Sequence, residues 1–465
     1  MSVNTAQSPP VADSPSTGPS TGSGQRIASV SARLGSDQGG YHVLMIAPTS
    51  FFADYGCHVR ILEEARVLRK LGHNVTVVTY HSGNDVAGLD IERTTPIPWW
   101  RDAVVGSSPH KIAYDILLSF KVLRVAWRRR PDVIHGHLHE GALIGWPLSL
   151  LGRVPLVFDF QGSLTSEMVD HRFLRQDGPF FGPMRRLEEF INRLPATIIT
   201  SSEHAARLCV DEYGCRPECV EPIPDAVNPD VFRPGLLSEA ERRARKEALG
   251  IPPDRHVVVY LGLLAEYQGT DLLVRAAARL LADHPSTALP FDGAQDKRRG
   301  SGPHPDVHFL VMGYPGRHRY QHLAVQLGIA DHITLTGRIP YEQAPEMLAL
   351  GDVAVAPKLS ATEGSGKLLN YMAMALPTAA FDTPVSREYL GVDGVYAPRA
   401  DVDGLALAMR RLLDDPEQAA TRGRRLRERA IAKYSWDDSG RRLVEIYERV
   451  MAVGTRKNVV GRTCR

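Results

Sequence analysis

The sequence predicts an α/β protein made of two doubly wound, Rossmann-like halves that face a cleft. Three observations predict it. The chain has 465 residues, more than one ordinary core organises, so two domains are expected. Two successive series of short apolar runs alternate with helical patterns, as βαβ units do. Between the series, residues 222–235 are dense in proline and suit a linker.

The elements follow in order. Residues 1–39 are rich in Ser, Gly, Pro and Thr and are expected to form a disordered tail. His42-Val43-Leu44-Met45-Ile46-Ala47 is a short apolar run, expected of a strand buried on both faces. A loop runs to Gly56. A helix follows with Ile61, Ala65 and Leu68 on one face, and Gly72 ends it as a C-cap. Residues 75–79 give the next strand, which completes one parallel crossover. Further strands are predicted at 132–135, 156–159 and 197–201. The second series has strands at 256–261, 307–312, 332–336, 353–356 and 378–381. Residues 284–306 carry Pro, Gly, Ser and charges without periodicity and read as a surface insertion. The domains are therefore expected at 40–230 and 231–435, with a last helix at 436–452. Its stripe of Leu443, Tyr447 and Val450 is expected to pack back on the first half.

Composition excludes several classes. The net charge is +2, from 55 basic and 53 acidic residues, which is no footprint of a nucleic-acid binder. Five cysteines, an odd count, argue against a disulfide framework and for a reducing, cytoplasmic setting. Cys209, Cys215 and Cys219 have no second Cys/His pair at zinc spacing and read as structural thiols. No apolar run reaches membrane-spanning length, and the N-terminus has no secretory h-region.

The most informative segment is Glu363-Gly364-Ser365-Gly366-Lys367-Leu368-Leu369-Asn370, just after the predicted strand at 353–356. Its glycines let backbone approach a ligand. They open a helix whose N-terminal N–H groups and dipole attract phosphate. Lys367 adds positive charge, and the Glu363 carboxylate can accept hydrogen bonds from sugar hydroxyls. The bland alternative is a plain helix start with Gly in the turn.

The order of motifs resembles the family-4 retaining glycosyltransferases of the GT-B fold. The match includes Gly56 and the helix to Gly72-His73-Asn74, then Pro131-Asp132-Val133-Ile134-His135-Gly136-His137. It continues with Ile223-Pro224-Asp225-Ala226-Val227-Asn228 and Phe232, Thr336-Gly337-Arg338, the Glu363 segment, and Tyr434-Ser435-Trp436 with Ile446-Tyr447. The resemblance implies hexosyl transfer, with retention and without a metal or other cofactor, from a UDP- or GDP-sugar to a glycan, lipid or small-molecule acceptor. The first half would hold the acceptor and the second the donor. It implies that Glu363 touches the donor sugar, and that Gly364, Ser365 and Gly366 offer N–H groups to sugar and diphosphate. Gly56 would let the first half approach the donor phosphates. Gly313, Gly337 and Arg338 would border the base, and His137 would stand near the cleft as a catalytic group.

The chain also departs from the family pattern. After Gly262, Leu263 stands where Arg is expected, and Gln268 where Lys is expected. Two charge-assisted bonds to diphosphate, each worth about 1.5–3 kcal/mol, would be missing. Lys367, Arg338 or Lys358 can supply replacement charge. Asn370 takes the place of the ribose-binding glutamate, and Gln161 takes the place of a catalytic-site histidine. These departures raise an alternative: a GT-B protein that binds nucleotide sugar or glycan without transfer. A dinucleotide-binding dehydrogenase is disfavoured, because neither half opens with Gly-x-Gly-x-x-Gly.

Three other features carry two readings each. Residues 110–130 read as an amphipathic basic helix, with Ile112, Ile116, Leu117, Phe120, Leu123 and Trp127 set against Lys111, Lys121, Arg124 and Arg128–Arg130. It either touches anionic lipid at the inner membrane face or is an ordinary helix packed on the sheet, its basic end complementing the helix dipole. The loop at Trp99-Trp100-Arg101 is an acceptor platform or a packed turn. His135, His137 and His139 read poorly as a metal site, because Glu140 is their only evident carboxylate partner.

Overall fold

The computed structural model describes residues 40–54, 56–96, 111–282, 306–455 and 464. The 1–39 tail, the Trp99-Trp100-Arg101 loop and residues 284–305 of the expected insertion lie outside the described residues.

Two separate parallel sheets form the molecule. The first contains β1 (His42–Ala47), β2 (Asn74–Thr79), β3 (Asp90–Arg93), β4 (Val133–His137), β5 (Leu156–Phe160), β6 (Thr197–Thr200) and β7 (Val220–Pro222). Its spatial order is β3-β2-β1-β4-β5-β6-β7. The second contains β8 (His256–Leu261), β9 (Val307–Met312), β10 (Ile333–Gly337), β11 (Val353–Ala356), β12 (Thr378–Phe381) and β13 (Val395–Ala397). Its order is β10-β9-β8-β11-β12-β13. Each order turns back beside its first strand, which is the switch point of a doubly wound sheet, where ligands of such folds bind.

The alternation of side chains along each strand explains why helices cover both faces. In β1, Val43 and Met45 join a core with Ile61, Leu62 and Leu68, while Leu44 and Ile46 join another with Tyr114, Leu118 and Val122. In β8, Val258 and Tyr260 pack with Leu273 and Ala277, whereas Val257 and Val259 pack with Leu368 and Tyr371. The helices used below are α1 (Gly56–Lys70), α2 (Lys111–Arg129), α3 (Leu138–Gly152), α4 (Phe181–Asn192), α5 (Gly366–Ala373) and α6 (Trp436–Thr455). Leu443, Ile446, Tyr447 and Val450 of α6 bury themselves in the core of the first sheet, against α1. No described helix is long and apolar enough to cross a membrane.

α2 packs on the first sheet, as one of its two readings has it, through Tyr114, Leu118, Val122 and Val125. Of the apolar residues picked out in the sequence, Ile112, Ile116, Phe120, Leu123 and Trp127 face outward. The helix has apolar residues along two faces, and periodicity alone does not say which one meets the sheet.

Candidate active site

A cleft of about 700 Å³ opens between the two halves, beyond the carboxyl ends of β1 and β8. Three of the expected residues form one lip of it: Gly364, Ser365 and Gly366, which lead into α5. Glu363 stands just before them. Its carboxylate pairs with Lys358 Nζ at 2.8 Å, and the same ammonium donates to the Gly364 carbonyl at 2.6 Å. The opposing half comes close here: a Cβ added to Gly162 would lie 2.8 Å from Glu363 Cγ. Glu363 is therefore at the seam between the halves, not on an outer surface.

Lys367 lies beneath the lip. Its ammonium donates to Gln268 Oε1 at 2.9 Å and to the Tyr260 hydroxyl at 3.2 Å, and sits 4.4 Å from the Tyr260 ring centroid. It also occupies the space beside Gly262, where an added Cβ would come within 2.5 Å of Nζ. Gly262 has φ +152°, a backbone that favours glycine, and a side chain there would displace Lys367. Gly313 is constrained by backbone, because a Cβ would meet the Gly262 carbonyl at 1.9 Å. Burial, then the nearby Lys358, brings the Lys367 ammonium down to about 7, against the opposing pull of Glu363. Gln268, found where the family has Lys, thus holds a cation supplied from α5.

Gly56, Gln161, Gly262, Gln268, Gly313, Arg338, Lys367 and Asn370 all line the same cleft. Gly337 does not line it; its carbonyl accepts from Gly313 N at 3.0 Å and so supports the wall from behind. Arg338 reaches across and donates through Nε and Nη2 to Asp54 Oδ2 at 2.9 and 2.6 Å. Asp54 also accepts from Tyr341 N at 2.9 Å. Together with Tyr389 OH donating to the Ser201 carbonyl at 2.6 Å, these contacts hold the halves together.

His137 is corrected by its surroundings. It is not at the cleft wall but fully buried, with Nδ1 3.0 Å from Asp159 Oδ2. Its ring stacks on His135 at 4.3 Å. The carboxylates beside these histidines are Glu64 and Asp159, not Glu140, which pairs with Lys111 at 2.6 Å. His139 belongs to α3 and faces Glu188 instead. Glu64, His135, His137 and Asp159 bring ligand-type atoms within 4.8 Å of one another. Arg60 fills the centre of that group, 2.9 Å from Asp159, 3.1 Å from Glu64 and 3.1 Å from Asp225. Its guanidinium supplies there the positive charge a metal ion would bring. Burial alone would raise the Asp159 carboxyl, but Arg60 and then His137 hold it well below the usual range. Burial lifts Glu64 well above it, in spite of Arg60. Gln161 joins this buried group to the cleft by donating Nε2 to Asp159 Oδ2 at 2.6 Å.

Sequence reading missed two cleft residues. Asp54 became visible only through its partners Arg338 and Tyr341. The other is Glu167, on the first-half wall, whose carboxylate makes no hydrogen bond or ion pair among the described residues. Burial, then repulsion from Glu363, pushes Glu167 up to about 7.

The comparisons agree with this fold. Residues 55–226 match the model of the glycosyl transferase 4-like domain, and residues 255–415 match that of the glycosyl transferases group 1. D-inositol 3-phosphate glycosyltransferase of Streptosporangium roseum is 26% identical over 85% of this chain and 89% of its own. GDP-mannose-dependent alpha-(1-6)-phosphatidylinositol monomannoside mannosyltransferase of Mycolicibacterium smegmatis is 31% identical over 49% of this chain and 56% of its own. Among solved structures, sucrose-phosphate synthase of Thermosynechococcus elongatus superposes with a TM-score of 0.71 at 18% identity, over 89% of this chain and all of that one. Anabaena HepE in complex with UDP gives 0.65 at 16% identity, over 88% of this chain and 100% of its own. Twin doubly wound sheets, a glycine-lined helix mouth at their seam and two family matches that together span most of the chain lead to one assignment: it belongs to the group 1 glycosyl transferases of the GT-B fold, enzymes that draw their sugar from a nucleotide-sugar donor.

Proposed function

We propose that this glycosyltransferase moves a hexosyl group from a UDP- or GDP-sugar to a hydroxyl of a glycan, lipid or small-molecule acceptor, with retention and without a metal. One observation carries the reading: the Gly364–Gly366 mouth of α5 opens into the cleft with Glu363 at its lip and Lys367 beneath it. The donor diphosphate would lie at that mouth, where N–H groups and the helix dipole meet its charge. Lys367 would replace the cation missing at Leu263 and Gln268. Gln268 orients it, and Gly262 leaves room for it. Glu363, held by Lys358, would accept a hydroxyl of the donor sugar. Gly313 and Arg338 would border the base, and Asn370 would bond a ribose hydroxyl.

In the reaction, the bond from the sugar's anomeric carbon to the diphosphate oxygen breaks. The bond to the acceptor oxygen forms on the same face. The acceptor's proton passes to a leaving phosphate oxygen. Positive groups at the mouth act where negative charge develops, which lowers the barrier. Lys358, Lys367 and the helix terminus provide that charge in our reading, so no metal is needed. Gln161 has its Nε2 engaged by Asp159, which leaves its carbonyl for a sugar hydroxyl. His137 would act only through Asp159, as a positioning residue. Closure of the halves, through contacts such as Arg338 with Asp54, would keep water from the activated sugar. The Mycolicibacterium smegmatis relative is named for GDP-mannose and the HepE structure holds UDP, which supports both bases as candidates.

Glu363→Ala tests the reading. Turnover of a nucleotide sugar should fall by about 10²–10³-fold, while nucleotide affinity by calorimetry stays within about threefold. Equal losses in both would reject the role of Glu363.

A further inference from the structure

The outer surface of the first half carries an apolar face that the described chain leaves uncovered. On α2, Ile112, Ile116, Phe120, Leu123 and Trp127 are 68, 54, 68, 47 and 84% exposed. Steps of four, four, three and four residues put them on one stripe along the whole helix. The helix needs none of them to hold its place, because Tyr114, Leu118, Val122 and Val125 do that from the opposite side. On α3, which packs beside α2, Leu143, Leu150 and Leu151 are exposed as well. Beyond α3 lies α4, where Phe190 meets Trp146 edge-on and is itself exposed. Scattered single apolar residues are normal on a surface, but a face of this extent marks an interaction site.

Charge says what the partner is. The exposed charges at this end of α2 are Arg124, Arg128, Arg129 and, just past it, Arg130, and Arg153 follows at the end of α3. Arg124, Arg130 and Arg153 make no ion pair among the described residues. The acids of α2 and α3 are both occupied: Asp115 accepts from Tyr80 OH at 2.6 Å, and Glu140 pairs with Lys111. The face is therefore large apolar side chains with arginines and no free carboxylate. That is the composition of a helix lying in a bilayer interface, with rings and leucines below the headgroups and guanidinium groups among the phosphates.

We propose that the α2–α3 face docks on the surface of a bilayer containing anionic lipid. The two helices begin at the cleft, since Lys111 and Glu140 in their first turns line it. Docking thus sets the cleft mouth beside the headgroup layer. The proposal goes beyond the transfer reading, and its failure would leave that reading intact.

Vesicle flotation of the full chain tests it. The protein should float with vesicles of equal parts phosphatidylcholine and phosphatidylglycerol, and less with phosphatidylcholine alone. Phe120→Ser with Trp127→Ser should lower partitioning by at least about tenfold. Arg124→Glu with Arg130→Glu should lower it about tenfold or more. Both double variants change exposed positions only, so each should keep the parent's unfolding midpoint and its turnover of nucleotide sugar in solution. Failure of the parent to float with either vesicle overturns the proposal. So does undiminished flotation of the serine variant. Concentration-dependent self-association of the parent, abolished by that variant, would assign the face to a second copy of this chain instead.

Discussion

Two charged groups lie about the same cleft, and they differ in what they are for. At the mouth of α5, Glu363, Lys358 and Lys367 stand at the seam of the two halves with room for a ligand beside them. At the floor, Arg60, Glu64, Asp159, His135 and His137 are packed almost without exposure. The floor group has strongly perturbed acids and two histidines, so residue type and pKa alone would single it out as catalytic. Geometry reverses that ranking. The floor carboxylates are already engaged by one guanidinium, which also donates to the Ile223 carbonyl at 3.1 Å in the segment joining the halves. A group that has spent its charge on internal partners organises the fold. A group with space beside it and charge to offer serves a substrate.

The largest expected effect tests the floor. Arg60→Met should destabilise the protein by about 3–5 kcal/mol, because it leaves Asp159 buried without its counter-charge. Urea unfolding followed by circular dichroism measures it. A variant of parental stability that had lost only turnover would break the comparison and place Arg60 among the groups that touch substrate.

The next tests the mouth. Lys367→Met is close in length and keeps the apolar stem. It should weaken binding of UDP or GDP by about 1.5–3 kcal/mol, the worth of a charge-assisted bond. Isothermal titration gives the affinity, and the urea midpoint should hardly move. If stability fell as far as in Arg60→Met while affinity held, the two groups would have exchanged roles.

Much of this arrangement was legible in the sequence. Buried parallel strands are short continuous apolar runs, so β8, β9, β11 and β12 stand at the predicted residues. The Glu363 segment was legible too, since a glycine-opened helix start is a local pattern. Cross-chain pairings were not. Nothing near Gln268 tells that it would meet Lys367, or near Arg338 that it would meet Asp54, because those residues are 99 and 284 positions apart. His137 was expected near the cleft only from the family resemblance; instead, Asp159 and the stacked His135 hold it within the floor. Which face of α2 turns inward was not legible, because both of its faces are apolar; the sheet took the one with Tyr114 and Leu118. Arg60 carried a signal that deserved more weight: Arg60 and Glu64 are spaced four apart on the helix face otherwise made of Ile61, Ala65 and Leu68.

The smallest expected effect sharpens the role of Lys367. In the free protein its ammonium titrates near 7, lowered by burial and by Lys358. A diphosphate beside it favours the charged form and must raise that value. Binding above pH 7 therefore takes up a proton, and affinity falls as pH rises; below 7 the lysine is already charged and affinity is flat. For a UDP- or GDP-sugar, whose diphosphate ester has no ionisation in this range, the dissociation constant should rise by up to about tenfold per pH unit above 7. The rise should stop once pH exceeds the value in the complex. Calorimetry in buffers of different ionisation enthalpy counts the proton directly. Lys367→Met should bind weakly with no such slope, and a slope that survived in that variant would move the titrating group elsewhere on the cleft wall, with Glu167 the first to examine.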